Sequence, residues 1–305
     1  ALLLLVTSFV VFAFVHLAPG SPETVLLGGR RVSAEQLAAL RERYHLDQPL
    51  LVQYGYWLGN ILVGDLGQSI ASQTPVSTLI AGKVLPTLEL AAYAGLLVLV
   101  LGVALGVVAA VRHGRPVDHL ISILAVLGAS LATYVSAILL IVLFAQRLGW
   151  FPVFGLGDGG PLDRLYHLTL PAIALAVFLT ALVTRVTRAA MIGVLRQEHV
   201  ETARSRGLGE ARIVLTHGLR GALVPVLTIS GLVVGYLITG SVLVEFTFGL
   251  NGLGAQLVTS IQARDFAVVQ AVALLFTAAF IVVNLVVDVL YALVDPRVRE
   301  RARRA

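Results

Sequence analysis

Few residues in this 305-residue sequence have the types and spacing that catalysis or nucleotide binding requires. Gly155–Gly160 matches the glycine spacing of dinucleotide-binding loops, but no βαβ unit surrounds it. The only lysine lies in Gly82-Lys83-Val84, whereas a phosphate-binding loop requires Ser or Thr after the lysine. We therefore expect no ATP hydrolysis by this chain.

The histidines do not suggest a metal site either. They lie at positions 16, 45, 113, 119, 167, 199 and 217, without the paired spacing of zinc ligands, and the sequence contains no cysteine. No Gly-x-Ser-x-Gly nucleophile motif occurs. The sequence thus predicts no catalytic residue, no metal and no cofactor bound by this chain.

One polar segment, 198–220, interrupts two long apolar stretches and is the best candidate for a functional site. Its pattern predicts a short helix over 197–206, a break at Gly207, and a second short helix running back toward the membrane. A simple connection between two spans could be far shorter. The length and charge of the segment predict docking against a cytosolic partner.

The spacing within this segment predicts two helix faces. Glu198, Glu201 and Arg204 repeat every three residues and would share a polar face. Val200 and Ala203 would form a small apolar face, where the small Ala203 side chain lets another surface approach. At the break, glycine permits the positive φ of a tight turn.

Composition shows what must position this segment. Hydrophobic residues make up 58% of the sequence and charged residues 13%, with a mean hydropathy of +0.91. Soluble domains carry roughly a quarter charged residues, so this chain lacks the polar surface that water requires. The net charge of +5 is expected to meet anionic lipid headgroups rather than nucleic acid.

Six stretches are apolar and about long enough to cross a hydrocarbon core of about 30 Å as helices. We predict an all-α integral membrane protein with a single transmembrane domain over 1–305. The first span is expected to be retained, because His16-Leu17-Ala18-Pro19 is a poor signal-peptidase site. The predicted spans are 1–18, 86–111, 119–147, 168–190, 222–245 and 267–294.

The arginines predict the orientation of the spans. The segments 112–119, 185–220 and 295–305 hold 14 of the 22 Lys and Arg residues and fall on one side if the spans alternate. Positive charge concentrates in cytoplasmic loops. We therefore predict that both termini and the segment 191–221 are cytoplasmic and that 19–85 is external.

The external segment is expected to form small helices on the outer ends of the spans. Ser33–Gln36 matches a helix capping box, Gly64–Gly67 is typical of a turn, and Pro75 fits the start of a helix. Between them runs an amphipathic stripe suited to a membrane interface. The stripe consists of Leu51, Tyr54, Trp57, Leu58 and Ile61.

Within the spans, glycine pairs and acids are the informative residues. Gly102-x3-Gly106 and Gly231-x3-Gly235 are patterns that let helices approach closely. Acids in or at the ends of spans should face the protein interior or a water-filled cavity, and they have no cationic partner one turn away. These acids are Glu89, Glu245 and Asp288.

From about residue 15 to 299, the sequence resembles one family of bacterial membrane proteins. Glu201-Thr202-Ala203, followed three residues later by Gly207, resembles the EAA loop of ABC importer permeases. Thr202–Leu208 and His217–Pro225 resemble more specifically the first-permease type of the dipeptide/oligopeptide family. Further matching motifs follow in order: His45–Pro49, Gly64–Gly67, Val244–Glu245 with Phe248, Gly252–Gly254 and Tyr291–Arg297.

Two positions depart from the EAA pattern. Thr202 replaces the middle alanine, a change between small residues that a helix face can absorb. The broader pattern has proline thirteen residues after the glycine, where this chain has Arg220, and its proline follows at Pro225. That difference is usual for the dipeptide/oligopeptide branch but leaves the geometry of re-entry into the membrane open.

The resemblance implies a six-span permease of the type I importer fold. It implies a partner permease, usually non-identical, two ATPase subunits that bind ATP and Mg²⁺, and a periplasmic or lipid-anchored substrate-binding protein. The complex would lie in the bacterial cytoplasmic membrane and work by alternating access. The resemblance places coupling to the ATPase at Glu198, Glu201, Thr202, Ala203, Arg204 and Gly207.

The pathway is less clearly marked. The fifth span carries hydroxyl groups among apolar neighbours and ends at Glu245, so it could line a peptide pathway or form hydrogen bonds within a packed bundle. Candidate pathway or gate residues are Tyr236, Thr239, Ser241 and Glu245.

The sequence leaves several interpretations of function open. The predicted cargo is di- or oligopeptide, and the same machinery could carry a nickel chelate, glutathione or haem. An ATPase-independent channel or ion-coupled carrier is the competing class. It would transport solute without any partner.

Overall fold

The computed structural model describes residues 2–17, 47–157 and 159–294. Their regular elements are all helical, and the predicted all-α membrane fold is confirmed. The Ser33–Gln36 box, the side chain of Asp288 and the basic tail from Arg297 lie outside what is described. The helices are α1 (Leu2–Leu17), α2 (Leu50–Leu62), α3 (Val76–Val111), α4 (Pro116–Ser130), α5 (Thr133–Leu140), α6 (Pro161–Leu195), α7 (Glu198–Ser205), α8 (Glu210–Ile213), α9 (Arg220–Thr247), α10 (Leu253–Gln262) and α11 (Phe266–Val294).

Two π-helical stretches extend these helices. Ile141–Arg147 continues α5, and Val214–Leu219 joins α8 to α9. Among the described residues, four helical stretches are long and apolar enough to cross a membrane, and α4 with α5 passes the same test only as a bent pair. The four are Val76–Val111, Pro161–Leu195, Glu210–Thr247 and Phe266–Val287.

The third predicted span, 119–147, is not one continuous helix. Its two halves meet at an angle of 104°. Leu131 and Ala132, at the junction, have extended backbone with ψ of 122° and 142°. Ser130 donates a hydrogen bond from Oγ back to the carbonyl of Val126 at 2.8 Å, which satisfies one acceptor at the end of α4.

Two other helices extend beyond their predicted spans. α3 begins directly after Pro75, as expected for a helix start there, and continues through Pro86 without a break. α6 likewise contains Pro171 and extends from Pro161 to Leu195, beyond the predicted 168–190. Hydropathy identified the apolar centres of these helices but not their polar ends.

The chain folds into two compact units. The first comprises Ala1–Thr87 and Asn251–Ala279, and the second comprises Leu88–Leu250 and Phe280–Ala305. In the first unit, aromatic residues fasten α2 to α1. The Tyr54 hydroxyl lies 2.7 Å from Ser8 Oγ, and the Trp57 and Phe12 rings are 5.4 Å apart.

A buried acid organises the loop before α3, which was predicted to be external, in the same unit. Asp265, 2% exposed, accepts hydrogen bonds from the Ser69 hydroxyl and from the amides of Ile70 and Ala71. Gly64 and Gly67 both have positive φ, which confirms the predicted turn. The buried core beneath this loop consists of Val76, Ile80, Leu253, Val268, Ala271 and Val272.

In the second unit, glycines of both pairs make the predicted close helix contacts. A Cβ added to Gly106 would lie 2.5 Å from Thr187 Cβ, and one added to Gly102 would lie 2.7 Å from Val183 Cβ. The α3 backbone therefore approaches α6 more closely than any larger residue allows. On α9, a Cβ added to Gly235 would lie 2.8 Å from the Phe280 ring of α11, whereas one added to Gly231 would make ordinary contacts with α11 at 3.4 Å or more.

One of the acids expected in the spans forms an ion pair with a distant residue. Glu89 Oε1 lies 3.3 Å from Arg164 at the start of α6. No basic residue lies one turn away on its own helix, and the partner instead comes from another helix. Pairing of this kind lowers the cost of a charge at the end of a span.

Candidate functional site

The polar segment has the predicted layout of helix, glycine break and returning helix. α7 ends at Ser205 with Arg206 as its C-cap, and the next residue, Gly207, has a φ of +78°, the left-handed conformation that glycine adopts without strain. The Leu208 amide donates to the Ala203 carbonyl at 3.2 Å, and the Gly207 amide donates to the Arg204 carbonyl at 2.9 Å. These two bonds form a Schellman cap, which stops the helix at a defined residue and redirects the chain.

The apolar face of α7 points into the chain itself. Val200 is 0% exposed and Ala203 is 6% exposed, and both pack against the fully buried Ile213 of α8. Leu195 and Leu208 complete this cluster. The surface that approaches Ala203 is therefore α8 of the same chain, and a partner subunit would meet the other side of α7.

Arg204 also makes its polar contacts within the same chain. Its Nε donates to Glu210 Oε1 at 2.7 Å, and its Nη1 donates to the Leu195 carbonyl at 3.4 Å. The hydrogen bond from Arg204 lowers the pKa of the Glu210 carboxyl, in the segment predicted to be cytoplasmic. Arg204 thus bridges α6, α7 and α8 across the Gly207 turn.

The outward face of α7 is acidic and polar. Glu198, Glu201 and Thr202 are exposed, and the Thr202 hydroxyl donates to the Glu198 carbonyl at 3.0 Å. Two acids in the first turn suit the positive end of the helix dipole. The helix therefore presents a preformed acidic surface that requires no rearrangement to be exposed.

A buried ion pair that the sequence did not predict joins the start of α4 to the C-terminal part of α6. Asp118, 1% exposed, accepts hydrogen bonds from Arg188 Nε at 2.6 Å and Arg188 Nη2 at 2.8 Å. The Gly114 amide donates to the same carboxylate at 3.0 Å, and His113 Nδ1 lies 3.1 Å from it. An arginine inside an apolar span was the available signal, because such charges require partners.

Two histidines lie close together at α7 and the π-helical stretch that follows α8. The rings of His199 and His217 lie 6.0 Å apart, and Thr216 Oγ1 lies 2.8 Å from His217 Nδ1. Within the described ranges, no three His, Cys, Asp or Glu side chains come together as a potential metal site.

The four candidate pathway residues separate into two pairs. Tyr236 is 48% exposed and its ring contacts that of Phe178 in a tilted arrangement at 5.5 Å, and Thr239 is exposed on the same side of α9. Ser241 and Glu245 are both 0% exposed inside the chain. In this conformation only Tyr236 and Thr239 present a surface to solute, lipid or a partner.

Single-cysteine variants will test this division, since the sequence contains no cysteine. We expect Tyr236→Cys and Thr239→Cys to react with a membrane-impermeant maleimide in the assembled complex. Ser241→Cys is the size-matched control and is expected to stay protected. Protection of positions 236 and 239 as complete as that of 241 would mean that this face of α9 is covered by packing and does not line the pathway.

The helical fold and the glycine-capped polar segment together define a membrane subunit of a transport complex. The chain belongs to the binding-protein-dependent transport system inner membrane component family, which matches residues 102–300. The corresponding N-terminal family matches residues 1–91. The chain is therefore a permease subunit of an ABC importer.

Relatives and solved structures agree with this assignment. The chain is 41% identical over 296 residues to the glutathione transport system permease protein GsiC of Salmonella typhimurium, covering 97% of this chain and 94% of the relative. GsiC of Escherichia coli K12 is 40% identical over 296 residues, again covering 97% of this chain and 94% of the relative. An inward-facing structure of the MetNI methionine ABC transporter has a TM-score of 0.60 at 18% identity, covering 71% of this chain and 96% of that chain, and supports the fold alone.

Proposed function

We propose that the chain forms one half of a pathway for short peptides across the bacterial cytoplasmic membrane. Its family membership carries this proposal, because binding-protein-dependent permeases need partners for energy and for cargo capture. The partners proposed are a second, non-identical permease, two ATPase subunits that hold ATP and Mg²⁺, and a periplasmic or lipid-anchored binding protein. Both termini of this chain would face the cytoplasm.

For the cargo, we favour a small peptide. The relatives that support this choice are named for glutathione, which is itself a tripeptide. The competing cargoes within the same machinery are longer peptides, nickel chelates and haem. A competition assay will rank the peptides. Uptake of labelled glutathione is measured in proteoliposomes with the cognate binding protein, while unlabelled di-, tri- and pentapeptides are added outside as competitors.

The mechanism proposed is alternating access. Binding of ATP would draw the two ATPase subunits together, and α7 would carry that movement into the spans. A ligand shifts a conformational equilibrium only through different affinities for the two states. ATPase closure and docking of the loaded binding protein should therefore both favour the same outward-open form.

The contacts divide the coupling residues by role. Glu198, Glu201 and Thr202 would contact the ATPase, because they are the outward residues of α7. Ala203, Arg204 and Gly207 would hold the helix in place through the apolar cluster, the Glu210 ion pair and the Schellman cap. A rigid, capped helix transmits force better than a mobile loop.

Charge reversal at the outward face will test the coupling role. We expect Glu201→Lys to retain an assembled complex but to lower cargo uptake per ATP hydrolysed by about tenfold, since coupling free energies of 1–3 kcal/mol correspond to such factors. Asp47→Lys, the same change at an exposed acid outside the segment, is the control and should transport normally.

The competing class predicts a different outcome from the same vesicles. A self-sufficient channel or carrier would move solute through the purified chain alone, driven by a gradient. Gradient-driven uptake without ATPase subunits, or failure of the chain to co-purify with ATPase subunits encoded beside it, would overturn the proposed function.

A further inference from the structure

The Asp118–Arg188 ion pair lies where α4 and α6 meet. Asp118 is in the first turn of α4, and Arg188 is two turns before the end of α6. The Arg188 guanidinium donates hydrogen bonds to both carboxylate oxygens of Asp118, at 2.6 Å and 2.8 Å. A buried, bidentate pair of this kind fixes both distance and orientation between two helices.

Apolar contacts join α4 to α6, for example at Gly128, whose added Cβ would lie 3.5 Å from Val177, but an open cavity interrupts these contacts. This cavity of about 240 Å³ lies between α3, α4 and α6, and its lining is almost entirely apolar. Among the described residues, the polar side-chain contacts between α4 and α6 are those of Asp118. The cavity lining comprises Leu97, Leu101, Leu105, Ile121, Leu124, Ala125, Gly128, Ile173, Ala176, Val177, Thr180, Ala181 and Thr184.

By contrast, α6 is tightly joined to both α3 and the coupling segment. Gly106 brings the α3 backbone against Thr187, as described above. At the other end of α6, Met191 is 0% exposed and packs with Ala110 of α3 and with Val214 beyond α8. Only Arg196 and Gln197 separate α6 from α7. Movement of α7 must therefore pass directly into α6.

We propose that Asp118 and Arg188 are positioning residues for coupling, forming a latch that makes α4 follow α6 when α7 moves. This inference rests on the proposed coupling role of α7. Without the latch, only the apolar contacts beside the cavity would join α4 to α6, so α4 could lag behind α6 and ATPase closure would move only part of the pathway wall. Removing the Asp118 charge also leaves Arg188, which is partly buried, without its charged partner and weakens the contact.

Pulsed EPR will test the latch by measuring the distance between spin labels on α4 and α6. Spin labels at Leu127→Cys on α4 and Gly193→Cys on α6 suit this purpose, because Leu127 is exposed and Gly193 has no atom within 4 Å of an added Cβ. The helices run antiparallel, with Gly128 beside Val177 and Asp118 beside Arg188. The labels are then about 21 Å apart along the helix axes at 1.5 Å per residue.

In the complete importer with the natural latch, we expect one narrow distance distribution that is the same without nucleotide and with ATP trapped. Asp118→Asn should broaden it and make it depend on nucleotide. Transport per ATP should fall by about tenfold while ATPase activity stays within about twofold, which a loss of folded complex would not produce. Arg115→Gln is the control, since it removes an exposed arginine from the neighbouring loop.

Two results would overturn the latch. One is a nucleotide-dependent distance when Asp118 and Arg188 are both intact, because α4 and α6 would then move separately. The other is an Asp118→Asn complex with the normal distance and normal transport per ATP. Failure of the proposed function is distinguishable: ATPase subunits would not bind the chain at all, whereas Asp118→Asn would still broaden the distance in the isolated chain.

Discussion

Gly207→Pro is expected to abolish cargo uptake while the permease still inserts in the membrane and ATP is still hydrolysed. Proline fixes φ near −65°, whereas residue 207 has a φ of +78°. Proline also lacks the amide that donates to the Arg204 carbonyl in the Schellman cap. The substitution therefore removes both features that stop α7 and direct the chain toward α8.

The apolar cluster and the Arg204–Glu210 ion pair depend on that turn. Once the turn changes, Ile213 no longer lies under Val200 and Ala203, and α7 loses its support. We expect uptake in proteoliposomes to fall by more than about tenfold, with the strain alone costing several kcal/mol locally, as for proline at incompatible sites.

Gly209→Pro is the matched control for this experiment. Residue 209 has a φ of −64°, which proline adopts readily, and it precedes the first turn of α8. The control should retain most uptake. Normal uptake by Gly207→Pro would contradict the coupling role of the turn, and equal loss in both variants would show that any proline in the segment is harmful.

The second large effect is expected from Gly106→Leu, which should destabilise the second unit. A Cβ at residue 106 would lie 2.5 Å from Thr187 Cβ and 2.9 Å from the Thr184 carbonyl oxygen. Two helix backbones would have to separate, at a cost of about 1–3 kcal/mol or more for overpacking. We expect a lower thermal transition and a smaller yield of monodisperse protein in detergent.

Gly82→Leu provides a control on the same helix. No atom lies within 4 Å of a Cβ built at residue 82, so leucine should be neutral or gain up to about 1 kcal/mol from its higher helix propensity. Gly106→Leu should lower the transition temperature, whereas Gly82→Leu should leave it unchanged or raise it. A Gly106→Leu protein as stable as the unmodified chain would contradict the close contact between α3 and α6.

Local signals in the sequence were sufficient for several of these features. The glycine after a short charged helix predicted the positive φ at Gly207, because few other residues adopt it. The glycine pairs at 102/106 and 231/235 predicted close helix contacts, and apolar length placed four of the six predicted spans on long apolar helices of the described residues. In each case one residue type or one short pattern carries the physical cause.

Features that depend on distant partners could not be predicted in the same way. Arg188 lies 70 residues after Asp118, and only the fold shows that they meet. The 104° bend in the third span occurs at Leu131 and Ala132, between Ser130 and Thr133 in a segment without proline, and the apolar length of 119–147 as a whole did not predict it. The inward direction of Ala203 depends on Ile213, which follows the turn.

The opposed faces of α7 have a practical consequence for building hybrid importers. Residues that hold the helix to its own subunit, Val200, Ala203 and Arg204, are separate from the outward Glu198, Glu201 and Thr202. Exchanging only the outward side chains should let the permease bind an ATPase subunit of another importer without repacking the interior. Grafting the whole loop would also exchange the inward residues of α7, which would then not fit the rest of the subunit.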